Sequence, residues 1–137
     1  IVQYNDSLNS YCAEKKVNWF NKANQEGKFK LWLMSNDEKR TYAGYLQSIG
    51  GYHRYSNYKI AIKYYIRAKE VFDNVKGYES LKGNLFFVLA ICNIALGQIQ
   101  EAEKNVQIIE KMFNEGLIDK NVVQSNTDGV TRQIEFY

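Results

Sequence analysis

This chain of 137 residues predicts an all-α fold of antiparallel helical hairpins stacked as a short solenoid. Three observations carry that expectation. First, one apolar pattern occurs twice: Tyr58, Ala61, Tyr65, Ala68 and Phe72 are matched by Ile99, Ala102, Val106, Ile109 and Phe113, an offset of 41 from Ala61 to Ala102. Steps of three and four residues place each set on one stripe of a helix, and the small Ala lets a second helix approach closely. Second, residues 85 to 96 are apolar at eleven of twelve positions, so a helix there must be covered on nearly every side. Third, glycines fall just beyond the patterned stretches, at Gly27, Gly77, Gly97 and Gly116, where a left-handed residue closes a helix.

In chain order, Asp6 or Ser7 can cap a first helix running to about Gln25. Inside it, Ala13-Glu14-Lys15-Lys16-Val17 matches Ala102-Glu103-Lys104-Asn105-Val106, either as a third, diverged copy of the repeated helix or as a coincidence of amphipathic spacing. Lys28 to Met34 reads as an irregular link whose Phe29, Leu31, Trp32 and Leu33 should plug a helix end. Ser35 or Asp37 caps a second helix reaching about Arg54. Asn57 opens the helix with the first repeated stripe, which ends between Asp73 and Gly77. Glu79 or Ser80 starts the apolar helix, and Gly97 turns the chain into the second stripe, closed at Gly116. The last twenty residues are polar, with a turn at Asp128-Gly129 and Val130, Ile134 and Phe136 to bury.

Composition narrows the function classes. The length fits a single helical-repeat domain over 1–137, with repeat-like units at about 42–76 and 83–116 and the 1–27 helix beside them. A start at Ile1 rather than Met suits a fragment of a larger protein. Lys and Arg number 18 against 15 acids, a net charge of +3 and far from that of a dedicated nucleic-acid binder, so no direct nucleic-acid contact is expected. The longest apolar run is too short to cross a bilayer, so no membrane span is expected. Cys12 and Cys92 lie in apolar helical patterns without a neighbouring ligand, which favours two reduced core thiols and a cytoplasmic setting. The chain shows no phosphate loop, metal-ligand spacing, Ser-His-Asp set or paired carboxylates, so neither an enzyme nor a cofactor is expected.

Residues 83 to 113 resemble a tetratricopeptide repeat in Phe86, Leu89, Ala90, Gly97 and Ala102, the large, Leu, small, turn and Ala positions of that unit. Residues 42 to 72 resemble it through Tyr45, Ala61, Tyr65 and Ala68. The period is 41 rather than 34, and there is no Pro in the chain to close a unit, which makes this a long-period variety similar to the repeats of kinesin light chains and of Gram-positive peptide-pheromone receptors. The resemblance implies a groove lined by the first helix of each hairpin, holding a protein or peptide segment. On the second unit it points to Asn84, Phe87, Ile91 and Ile94. On the first it offers two registers. A glycine-anchored register, with a turn shorter by one residue, presents Gln47 and Arg54; an alanine-anchored one presents Leu46 and His53. The expected peptide-binding set is therefore Gln47, His53, Arg54, Asn84, Phe87 and Ile91, with the amides suited to bonding a ligand's main chain.

Several features read more plainly. Asn93, alone polar in its run, is expected to be a buried amide satisfied by nearby backbone. His53 is the only histidine, and no partner is placed beside it for acid-base work. Lys59, Lys63 and Arg67 form a basic stripe, by default a solvated face. Tyr45, Tyr52, Tyr55, Tyr58, Tyr64 and Tyr65 are expected to pack between helices. The leading expectation is a non-enzymatic protein-interaction module from a bacterial protein. The alternatives are the ligand-sensing domain of a peptide-responsive transcription regulator, whose upstream domain would bind DNA, and a homo-oligomerisation scaffold.

Overall fold

The computed structural model describes residues 2–25, 33–54, 56–73 and 75–119. Its described residues form five α-helices and no strand: α1 (Val2–Gln25), α2 (Asn36–His53), α3 (Tyr58–Phe72), α4 (Glu79–Ala95) and α5 (Ile99–Asn114). The fold is all-α, with adjacent helices within each unit packed as hairpins. The chain divides into two compact units, Ile1–Lys76 and Gly77–Tyr137.

In the first unit α1 packs on α2 and α2 on α3. The α1 helix begins at Val2, so Asp6 and Ser7 lie within it rather than capping it. No Gly or Pro interrupts residues 2–25, and nothing in that stretch obliges the helix to start later. Ala13 and Val17 turn inward, while Tyr11, Cys12, Lys15, Lys16, Trp19 and Lys22 face outward. The expectation of two core thiols is corrected here. Cys12 is exposed because its neighbour Ala13 takes the inward position, whereas Cys92 is fully buried. Of the expected plug, Phe29, Leu31 and Trp32 lie outside the described residues; Leu33 is exposed, and Met34 is the buried member of the link.

Ser35 caps α2 reciprocally: its Oγ accepts from the Glu38 N–H and its own N–H donates to Glu38 Oε1, both at 3.1 Å. Leu46 and Ile49 are fully buried along α2, with Gly50 beside them. Asn57 caps α3 by accepting from the Ile60 N–H at 3.2 Å. Ala61, Tyr65, Ala68 and Phe72 of the first repeated stripe are buried, and Tyr58 at its end is exposed. At Gly50 the Tyr65 ring of α3 lies against the backbone of α2, since a Cβ built there would stand 2.9 Å from Tyr65 Cε1. Only the absence of a side chain allows that approach.

The second unit pairs α4 with α5. Near the turn, Ala90 and Ile94 pack with Ala102 and Val106; farther back, Phe86 and Phe87 meet Ile109 and Met112. Moving back along α4 moves forward along α5, which makes the pair antiparallel. Gly97, at φ 73°, takes the left-handed conformation that the turn requires. Beyond α5, Gly116 at φ 74° reverses the chain, and Ile118 returns to bury itself against Met112 and Gly83. Ile118 was not among the apolar residues expected to be buried near the C-terminus, and the others, Val130, Ile134 and Phe136, lie outside the described residues together with the 128–129 turn.

Candidate functional site

The two hairpins differ in the length of the turn between their helices. In α4–α5 the Asn93 carbonyl accepts from the N–H of Gln98, the residue before α5, at 2.8 Å. In α2–α3 the His53 carbonyl accepts from the N–H of Asn57, the residue before α3, at 2.6 Å. The step is five residues in one and four in the other, so the first turn is shorter by one. Gly50 therefore corresponds to Ala90, Ala43 to the buried Gly83, and Gly44 to the exposed Asn84. An alanine-anchored register would instead match fully buried Ala43 with exposed Asn84.

The predicted binding residues separate accordingly. Leu46 is fully buried and cannot meet a ligand. Gln47 and Arg54 are half-buried on the side of α2 that also carries Gly44 and Gly51. His53 takes the place of Asn93 and lies against rings: 6.2 Å from Tyr64 and nearly parallel to it, and 5.2 Å from Tyr52 edge-on. It belongs to the hairpin contact rather than to the Gln47 side. On α4, Asn84 is exposed, while Phe87 and Ile91 are half-buried and pack partly against the cluster shared with α5. Ile94 is buried within that cluster.

Asn93 is the buried amide that its setting in an apolar run predicts, but side chains satisfy it where nearby backbone was expected to. Its Nδ2 donates to Gln98 Oε1 at 2.9 Å, and its Oδ1 accepts from Asn105 Nδ2 at 2.8 Å. The three amides tie α4, the turn and α5 together. Among the described residues no fully buried side-chain polar atom lacks a partner.

The expected basic stripe divides. Lys59 and Lys63 are exposed on α3, but Arg67 is half-buried and engaged by neutral neighbours. Its Nη2 donates to Tyr42 Oη at 3.2 Å and to Asn21 Oδ1 at 3.4 Å, and its guanidinium carbon lies 5.8 Å from the Tyr64 ring centre. The Tyr42 hydroxyl in turn donates to Asn21 Oδ1 at 3.3 Å. This cluster spans α1, α2 and α3. Sequence reading missed it because its partners lie 25 and 46 residues from Arg67. On the outer side of α1, Lys15 Nζ sits 4.8 Å from the Tyr11 ring centre, and the bond to Tyr11 holds the ammonium above its ordinary pKa. Of the tyrosines expected to pack between helices, Tyr65 is buried, Tyr45 and Tyr64 are half-buried, Tyr52 and Tyr58 are exposed, and Tyr55 lies outside the described residues.

No group of three or more His, Cys, Asp or Glu among the described residues could hold a metal ion. No helix among them is long and apolar enough to cross a membrane. Comparison with protein-family models, curated proteins and solved structures found no match.

Proposed function

We propose that the chain is a non-enzymatic protein-interaction module that binds a protein or peptide segment through the first-helix faces of its hairpins. One observation carries the reading: in each hairpin the first helix keeps an amide-bearing face out of its own core, Gln47 on α2 and Asn84 on α4. On α2 the half-exposed Gly44 and Gly51 flank Gln47, so a ligand's main chain can come near the helix. On α4 the half-buried Phe87 and Ile91 add apolar surface beside Asn84. An amide offers both donor and acceptor, which suits main-chain recognition with little side-chain selectivity. The resemblance to long-period tetratricopeptide repeats, as in bacterial peptide-responsive regulators, agrees with this use and remains part of the proposal.

The test is capture of partners from the native cell with mass spectrometry, followed by titration of the captured partner against Gln47→Ala, Arg54→Ala and Asn84→Ala combined. The combined variant should bind more weakly while its stability changes by no more than about 0.5 kcal/mol per surface site. Changing Lys59 and Lys63 together should leave binding nearly intact. Loss of binding in the lysine pair alone, sensitive to salt, would move the site to α3.

A second reading, self-association, is favoured by the outer side of α1, where Tyr11 is 55% and Trp19 59% exposed. Light scattering across concentrations decides it, because a mass that stays monomeric at high concentration removes that reading.

A further inference from the structure

Arg67 carries a charge that meets no counter-charge among the described residues. Arg67 is half-buried, and among the described residues its bonds go only to neutral groups: Tyr42 Oη, Asn21 Oδ1 and the Tyr64 ring. Glu70, one turn farther along α3, is exposed and forms no ion pair with it among the described residues. Both hydrogen bonds use Nη2, which leaves the accessible donors on Nη1 and Nε. Asn21 is likewise biased toward donation, since its Oδ1 already accepts from both Tyr42 and Arg67 and its amide N–H groups remain. Three helices thus hold a surplus of donors and one fixed positive charge at a partly desolvated point. A cation removed from water without a counter-charge is costly, and an oxyanion offsets that cost.

We propose that this cluster is a carboxylate-binding site of the first unit, with Arg67 as its anchor and Asn21 as a second donor. The charge match selects the ligand class. One fixed guanidinium balances a carboxylate, whereas a phosphate dianion needs a second fixed cation, and Lys63, one turn away, is exposed and solvated. The guanidinium is already oriented by Tyr42, Asn21 and Tyr64, so little side-chain freedom remains to be lost on binding. An acidic peptide segment presents such carboxylates. The site uses only α1, α2 and α3 and stands whether or not the Gln47 and Asn84 faces bind a partner.

The test is a nitrogen-15 NMR titration of the whole chain at low ionic strength with a capped tetraglutamate peptide, sodium acetate and inorganic phosphate. The Arg67 Nε–Hε and Asn21 Nδ2 resonances should shift saturably with the peptide, and with acetate only at higher concentration. Arg67→Gln should weaken the response at least about tenfold, as loss of a charge-assisted contact implies. Asn21→Asp places a carboxylate beside Arg67 within the chain; it should abolish the response without lowering the melting temperature, and it decides the matter if the Arg67 variant does not fold. Acetate binding as tightly as the peptide would assign the site to a free carboxylate, with the site itself upheld. The proposal is overturned if no resonance saturates, if phosphate binds and carboxylates do not, or if Asn21→Asp responds like the parent.

Discussion

The α2–α3 and α4–α5 hairpins reach one internal geometry with different side chains. Where the second closes its turn with a chain of amides, Gln98 to Asn93 to Asn105, the first uses stacked rings, His53 on Tyr64. Where the second packs Ala90 with Val106, the first gives all the space to one partner, Gly50 against Tyr65. Volume is exchanged across the contact while the helices stay close, as expected when interiors are filled to fixed density and not by particular residues. The amide chain fixes direction through its hydrogen bonds, whereas the ring contact tolerates sliding. The second hairpin is therefore the more specified of the two near its turn.

The largest expected effect tests what the hairpins share. Ala61 and Ala102 are both fully buried, and changing either to Leu should overpack its hairpin at a cost of about 1–3 kcal/mol. Thermal melts check this. A loss in only one variant would show that the alanines are not equivalent, and the comparison would fail at its base.

Next comes the contrast itself. Asn93→Ala removes both hydrogen bonds, leaves the half-buried Asn105 Nδ2 without its partner and should cost about 1–3 kcal/mol in denaturant titration. His53→Ala removes a half-exposed ring and its contacts with Tyr64 and Tyr52, and should cost about 0.5–1.5 kcal/mol. If the order is reversed, the amide chain does not hold the second turn more firmly than the rings hold the first.

A finer test concerns volume exchange. In Gly50→Ala the new methyl meets the Tyr65 ring, for a loss of about 1 kcal/mol. Combining it with Tyr65→Val installs the second hairpin's pair in the first, and the double variant should lose less than the two single variants together. A coupling of about 0.5–3 kcal/mol is expected for residues in contact. Strict additivity would mean that Gly50 and Tyr65 are not one packing unit.

Much of this architecture was legible in the residues because helix ends are local. Ser35 and Asn57 cap where they should, and Gly97 and Gly116 turn where they should, since each acts on backbone within a few positions. What was hidden depends on distance or on a single step. The register of α2 hangs on one residue of turn, which composition does not reveal while Ile49 and Gly50 both fit a core. Cys12 and Ala13 are adjacent and both apolar, so which one faces inward is decided by the packing of α1 on α2. Arg67 reads as one cation in a basic stripe because Tyr42 and Asn21 come from other helices. Of the expected binding residues, Gln47 and Asn84 keep exposed surface, and the half-buried His53 stacks on Tyr64, a contact made across the hairpin and so invisible in local spacing.

The smallest expected effect has the opposite sign and uses the same helix. Gly44 corresponds to Asn84 and sits inside α2, and a Cβ built there meets nothing within 4 Å. Its backbone is helical, so a methyl costs no space, while glycine in a helix interior loses about 0.5–1 kcal/mol relative to Ala. Gly44→Ala should therefore raise the melting temperature slightly, against the loss at Gly50 two turns away. A destabilised Gly44→Ala variant would mean that something approaches this face closely, and the open seam beside Gln47 would no longer be available to a ligand's main chain.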